Sequence, residues 1–133
     1  MTTPPSISLK PGNIIGAYSA QAGKPKYFLC LSPYAPDVAA RFLFLNSEPG
    51  KQDSLDLLCP EIPCLPVSST GFSCICCNTI VRMNETQLGL FRAYHLGHID
   101  VSVKAKLGAF VSAGVTSLRS QEVRFLAASI AVM

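Results

Sequence analysis

A chain of 133 residues, half of them hydrophobic, is expected to fold as one domain with a sizeable core and apolar surface to spare. Its net charge of +3 permits nucleic-acid binding without arguing for it, since dedicated electrostatic binders are far more basic. No charged and then apolar leader opens the sequence, and the apolar run at 125–133 is too short to span a bilayer, so the expectation is a soluble, cytoplasmic protein with no membrane partner.

Residues 1–8 carry Pro4 and Pro5 and read as a loose arm. After the Pro11-Gly12 turn, residues 13–19 read as a first strand, and 19–23 as a small-residue loop. Two aromatic-rich runs, 27–32 and 42–46, read as strands bounded by Pro33, Pro36 and Asp37. Lys24, ahead of Pro25, stands at the mouth of the first of these, and Ser47 at the exit of the second. If the two strands are antiparallel neighbours, a cation and a hydroxyl meet at one end of the sheet and form an anion or phosphate site.

The proline-punctuated connection 48–71 is long for a compact domain, and its leucines suggest a short edge strand near 57–65. Residues 72–81 are the most apolar segment and read as a central strand. Asn84 and Gln87 form a capping-box pattern for a short helical turn ending near Phe91. A last strand is expected at 93–99. Asp100 then caps a helix to about Ala113, with Val103, Leu107, Phe110 and Val111 at helical spacing and Gly114 as its stop. Ser120, with Glu122 in the first turn, starts a second helix whose apolar face is Val123, Leu126, Ala127 and Ile130. The expected class is mainly β with C-terminal helices, a single domain over 1–133 divided into 9–99 and 100–131.

Six cysteines stand at 30, 59, 64, 74, 76 and 77. On a strand Cys74 and Cys76 share a face and Cys77 takes the other. Their spacing, Cys-x4-Cys and Cys-x-Cys-Cys, does not match the paired knuckles of structural zinc sites, so reduced thiols and no metal are expected.

The pieces Pro11-Gly12-Asn13-Ile14-Ile15, Gln21-Ala22-Gly23-Lys24-Pro25, Leu31-Ser32-Pro33 and Asn46-Ser47 follow one another in order. Cys77-Asn78-Thr79-Ile80-Val81-Arg82 and His95-Leu96-Gly97-His98-Ile99 come after them. In this order and spacing the chain resembles the MazF/PemK family of toxin ribonucleases over most of 9–113. The resemblance implies a small SH3-like antiparallel barrel, a homodimer, an antitoxin protein as partner and single-stranded RNA as substrate, cut without metal or other cofactor. It places Lys24 and Ser47 on the family's catalytic pair and gives Gln21, Asn78, Arg82 and His95 as substrate-binding residues. Three positions depart from the family pattern: Lys24 stands for Arg, Ser47 for Thr and Asn78 for Asp.

Those departures have chemical consequences. Lys24 keeps a positive charge but loses the planar fork that grips two phosphate oxygens. Ser47 keeps a hydroxyl donor, and Asn78 can hydrogen-bond but is no base. The bland readings are a solvated loop lysine, a turn serine and, for Arg82, an ion-pair partner at the end of the barrel. On a strand His95 and His98 face opposite sides; one of them near the groove would serve as a general acid or base. The alternative to an RNA-cutting toxin is a weak or inactive member of the same fold that binds another protein, as gyrase-poisoning toxins do. A third reading is an unrelated interaction module.

Overall fold

The computed structural model describes residues 7–18 and 24–133. Its strands are β1 (Asn13–Tyr18), β2 (Pro25–Ser32), β3 (Ala40–Asn46), β4 (Ser54–Leu58), β5 (Phe72–Met83) and β6 (Tyr94–His98). Its helices are α1 (Glu85–Leu90), α2 (Val101–Ala113) and α3 (Ser120–Ala131). The strands form one antiparallel sheet in the order β4-β5-β3-β2-β1-β6. The fold is thus mainly β with helices at its C-terminal end. The sheet is open, with β4 and β6 as its two edges.

Both faces of the sheet are buried, and strand alternation assigns the residues. Ile14, Leu29, Leu31, Leu43, Leu45, Ile75 and Cys77 point to one side and pack against Val103, Leu107 and Val111 of α2 and Leu126 and Ile130 of α3. Ile15, Phe28, Cys30, Phe42 and Met83 point to the other, where Leu9 and Leu88 of α1 cover them. The Tyr18 amide, at the end of β1, donates to the Phe91 carbonyl at 2.7 Å, prolonging the β1–β6 contact back to the end of α1.

Several local expectations were met. Asn84 accepts from the Gln87 amide and Gln87 from the Asn84 amide, each at 2.8 Å. Asp100 accepts from the Val103 amide at 2.8 Å, and Gly114, at φ 120°, ends α2. Pro25 does enter the ladder of the interior strand β2, opposite Tyr18, but only as its first residue, a position where a missing N–H is tolerated.

Two expectations need correction. The edge strand is Ser54–Leu58, not 57–65. Pro60, Pro63 and Pro66 cannot donate to a ladder, so pairing with β5 stops at Leu58 and a 3-10 turn, Cys59–Glu61, follows. The central strand also runs on to Met83 and carries a bulge. Leu43 pairs with Ile80, but the next residue, Phe44, pairs with Cys76. The extra residues Cys77, Asn78 and Thr79 are odd in number, so the bulge reverses which face each later residue takes.

Candidate functional site

The β2–β3 register pairs Tyr27 with Leu45, which brings the start of β2 and the end of β3 to the same end of the sheet. Lys24 and Ser47 both line a cleft of about 460 Å3 there. Its lining is largely apolar and includes Tyr27, on the helix-covered face of the sheet, Phe44, on the opposite face, Phe72 at the start of β5, and Leu65, Pro66 and Val67 from the loop before β5. Lys26, the second residue of β2, joins Lys24, which stands just ahead of that strand, and the Lys26 ammonium lies 6.0 Å from the centre of the Phe44 ring. Among the described lining residues there is no carboxylate and no imidazole.

The loop wall is tied down by hydroxyls. Thr70 Oγ1 donates to the Ser47 carbonyl at 2.6 Å, and Ser68 Oγ donates to the Phe72 carbonyl at 2.8 Å. Ser68 also lies 3.5 Å from the Cys59 thiol, and Ser73 donates to that sulfur from 3.8 Å. The Ser68 side chain is the main reason the Cys59 thiol sits below its ordinary pKa. At the floor, Asn46 Nδ2 donates to Cys76 Sγ at 3.2 Å while its Oδ1 accepts from the Glu48 amide.

The other residues singled out from the sequence do not gather here. Asn78 is exposed in the β5 bulge, beyond the last pairing with β4. Arg82 lies opposite Arg41, at the end of β3 away from the cleft. His95 is on edge strand β6, paired with Ile15. His98 places its Nδ1 2.6 Å from the Ile99 carbonyl and its Nε2 3.2 Å from the Pro11 carbonyl, a structural clamp on the turn before β1. Gln21 lies outside the described residues.

The reading of the sequence missed Lys26 and the apolar lining. Period-two alternation was the available signal, since it sets Lys24 and Lys26 on one face if the chain is extended there. It also missed Arg41, whose partner across the sheet depends on the bulge.

All six cysteines are free thiols. Burial pushes those of Cys30, Cys74 and Cys77 up to about 12. Among the described residues no three His, Cys, Asp or Glu side chains are grouped so as to hold a metal ion, and no helix is long and apolar enough to cross a membrane. No protein-family model, curated protein or solved structure matches the chain.

Proposed function

We propose that this chain is a MazF/PemK-like toxin of a toxin–antitoxin pair, its open sheet an incomplete version of the family's barrel and its cleft the place where single-stranded RNA is held and cut. The observation that carries this reading is the meeting of Lys24 and Ser47 in one cleft with a largely apolar lining. A phosphodiester needs the cation, unpaired bases need apolar surface to rest on, and the cleft offers both.

In the reaction the RNA's own 2′-oxygen attacks the neighbouring phosphorus and the bond to the 5′-oxygen breaks, giving a cyclic phosphate and a 5′-hydroxyl end. Lys24 stabilises the negative charge gathering on the phosphorane, and Ser47 donates a hydrogen bond to the same group. With no imidazole or carboxylate among the described lining residues, proton transfers fall to water, and the expected enzyme is slow. The protein acts as a homodimer, and an antitoxin protein keeps it inactive by covering the cleft.

That same lack of a base favours a second reading, in which the cleft binds a segment of a partner protein and cuts nothing. Incubation with a long unstructured RNA, in excess chelator, separates the two. Fragments ending in a cyclic phosphate support the toxin ribonuclease; intact RNA supports the binding module.

A further inference from the structure

Arg41 and Arg82 are paired directly across β3 and β5. Two residues further into the sheet Leu43 pairs with Ile80, and both pack into the core beneath α2 and α3. Strand alternation therefore puts the two arginines on that same helix-covered face. Residues so placed hold their Cβ atoms about 5 Å apart, close enough for two guanidinium groups to reach one ligand. Like charges in that position destabilise a sheet unless something offsets them. Among the described residues neither arginine has an ion-pair partner; the salt bridges there are Lys51–Glu48 and Lys106–Glu61.

With Ile80, Gln121, Glu122 and Phe125 the two arginines line a depression of about 210 Å3 beside the first turn of α3. The Arg41 guanidinium sits 4.6 Å from the centre of the Phe125 ring, a contact that steadies it against one wall. Glu122 is the one carboxylate in the lining, and it accepts from the Arg119 amide at 3.1 Å, closing its own helix end. Arg119, at the N-cap, makes no side-chain cap bond, so the partial positive charge at the start of α3 adds to the same field. Two full positive charges thus border one small hollow, against a single carboxylate that bonds elsewhere.

We propose that this depression binds a phosphate dianion, free or as the terminal group of a small phosphate monoester, held between the forks of Arg41 and Arg82. The site lies at the end of β3 away from the Lys24–Ser47 cleft and does not depend on the RNA reading. An arginine fork bonds two oxygens of one phosphate at once, and two guanidinium charges balance a phosphate group that carries about −2 near neutral pH. A carboxylate would balance only one of them. At about 210 Å3 the hollow falls below the roughly 300 Å3 at which pockets for larger organic ligands begin, which suits a phosphate group with little attached. Bound phosphate also supplies the counter-charge that the arginine pair lacks, so its binding is linked to the stability of the sheet.

The test titrates inorganic phosphate, phenyl phosphate and acetate into the intact protein at constant ionic strength, read by amide and arginine side-chain NMR shifts and by thermal melting. The parent is compared with Arg82→Gln, whose side chain is exposed, with Arg82→Lys, and with Arg124→Gln, an exposed arginine of α3 outside the depression. Saturable phosphate binding is expected, with shifts centred on residues 40–42, 80–83 and 120–125, weakened roughly tenfold or more in Arg82→Gln and unchanged in Arg124→Gln. Arg82→Lys keeps the charge but loses the fork and should fall between the parent and Arg82→Gln. Without phosphate, Arg82→Gln should melt no lower than the parent, because it removes a like-charge pair; with phosphate, the parent's Tm should rise and the variant's should rise much less. Tighter binding of phenyl phosphate than of the free ion assigns the site to a monoester, equal binding to the free ion, and both support it. No saturable phosphate binding by the parent, shifts centred on Lys24 and Ser47 instead, or equal losses in Arg82→Gln and Arg124→Gln would overturn it. So would acetate bound as tightly as phosphate, or an Arg82→Gln protein that melts below the parent without phosphate.

Discussion

The carboxylate of Asp53 accepts the backbone N–H of Ser117 at 2.8 Å, across 64 residues of the chain. The Thr116 amide and hydroxyl also donate to it. Asp53 sits at φ 56°, just before edge strand β4, so one residue fixes both that turn and the connection between α2 and α3. Hydrogen bonding, with the Ser117 side chain as its largest part, holds the Asp53 carboxyl below the ordinary aspartate range.

A pH dependence follows from this lowered pKa. A group with a depressed folded-state pKa stabilises the fold above its unfolded value, near 4, and loses that contribution as pH falls through the folded value. Denaturant melts between about pH 2 and 6 should show stability declining on the acid side, and Asp53→Asn, which keeps a residue tolerant of positive φ, should flatten the decline. An unchanged acid profile in Asp53→Asn would show that this carboxylate does not couple the two segments.

Gly12→Ala should destabilise the protein by about 1–3 kcal/mol. Gly12 has φ 95°, and a Cβ there would stand 2.5 Å from His98 Nε2. Its amide and carbonyl already bond to Cys30 and Ile99, so the turn cannot shift to relieve the clash. Thermal melting checks this, with Gly50→Ala as the comparison. Gly50 also has positive φ but nothing near its Cβ position, so it isolates the backbone cost.

The thiols should differ in reactivity. Cys30, Cys74 and Cys77 are buried and pushed up to about 12, so alkylation should reach them only on unfolding. Cys59 is 8% exposed and hydrogen-bonded in a way that favours its thiolate, so it should be modified ahead of those three. Mass mapping after brief treatment of native protein reads the order directly.

A homodimer should appear in sedimentation at micromolar concentration. The exposed Leu58, Val67 and Leu90 leave apolar surface uncovered on the single chain, and β4 and β6 are free edges. A monomer over that range would remove the dimer from the proposed function.

Much of this fold was legible from residue chemistry that acts locally. The Asn84–Gln87 box, the Asp100 cap and the Gly114 stop depend only on near neighbours, and each was found as read. The runs 27–32 and 42–46 are rich in bulky residues and bounded by Pro33, Pro36 and Asp37, so the meeting of Lys24 and Ser47 followed once the two strands were taken as antiparallel neighbours. The β5 bulge was not legible. Residues 72–81 are buried on both faces before the bulge, so an apolar run there carries no parity to follow. Since the bulge sets the later register, the facing of Arg41 and Arg82 was hidden with it. The fates of Asn78 and His95 were hidden for a related reason, because strand order across a sheet is a long-range property that no local pattern encodes.

The most direct test of the central claim is the rate at which purified protein cuts unstructured RNA in excess chelator, compared among the parent chain, Lys24→Ala and Lys24→Arg. Lys24 is the cation beside Ser47, so its removal should slow cleavage on the order of a hundredfold. Arginine restores a planar fork for the phosphate and should keep or raise the parent rate. Slow cutting with cyclic phosphate ends, lost in Lys24→Ala and retained in Lys24→Arg, is the expected result. RNA left intact by the parent and by Lys24→Arg alike would contradict the account and leave the cleft as a protein-binding site.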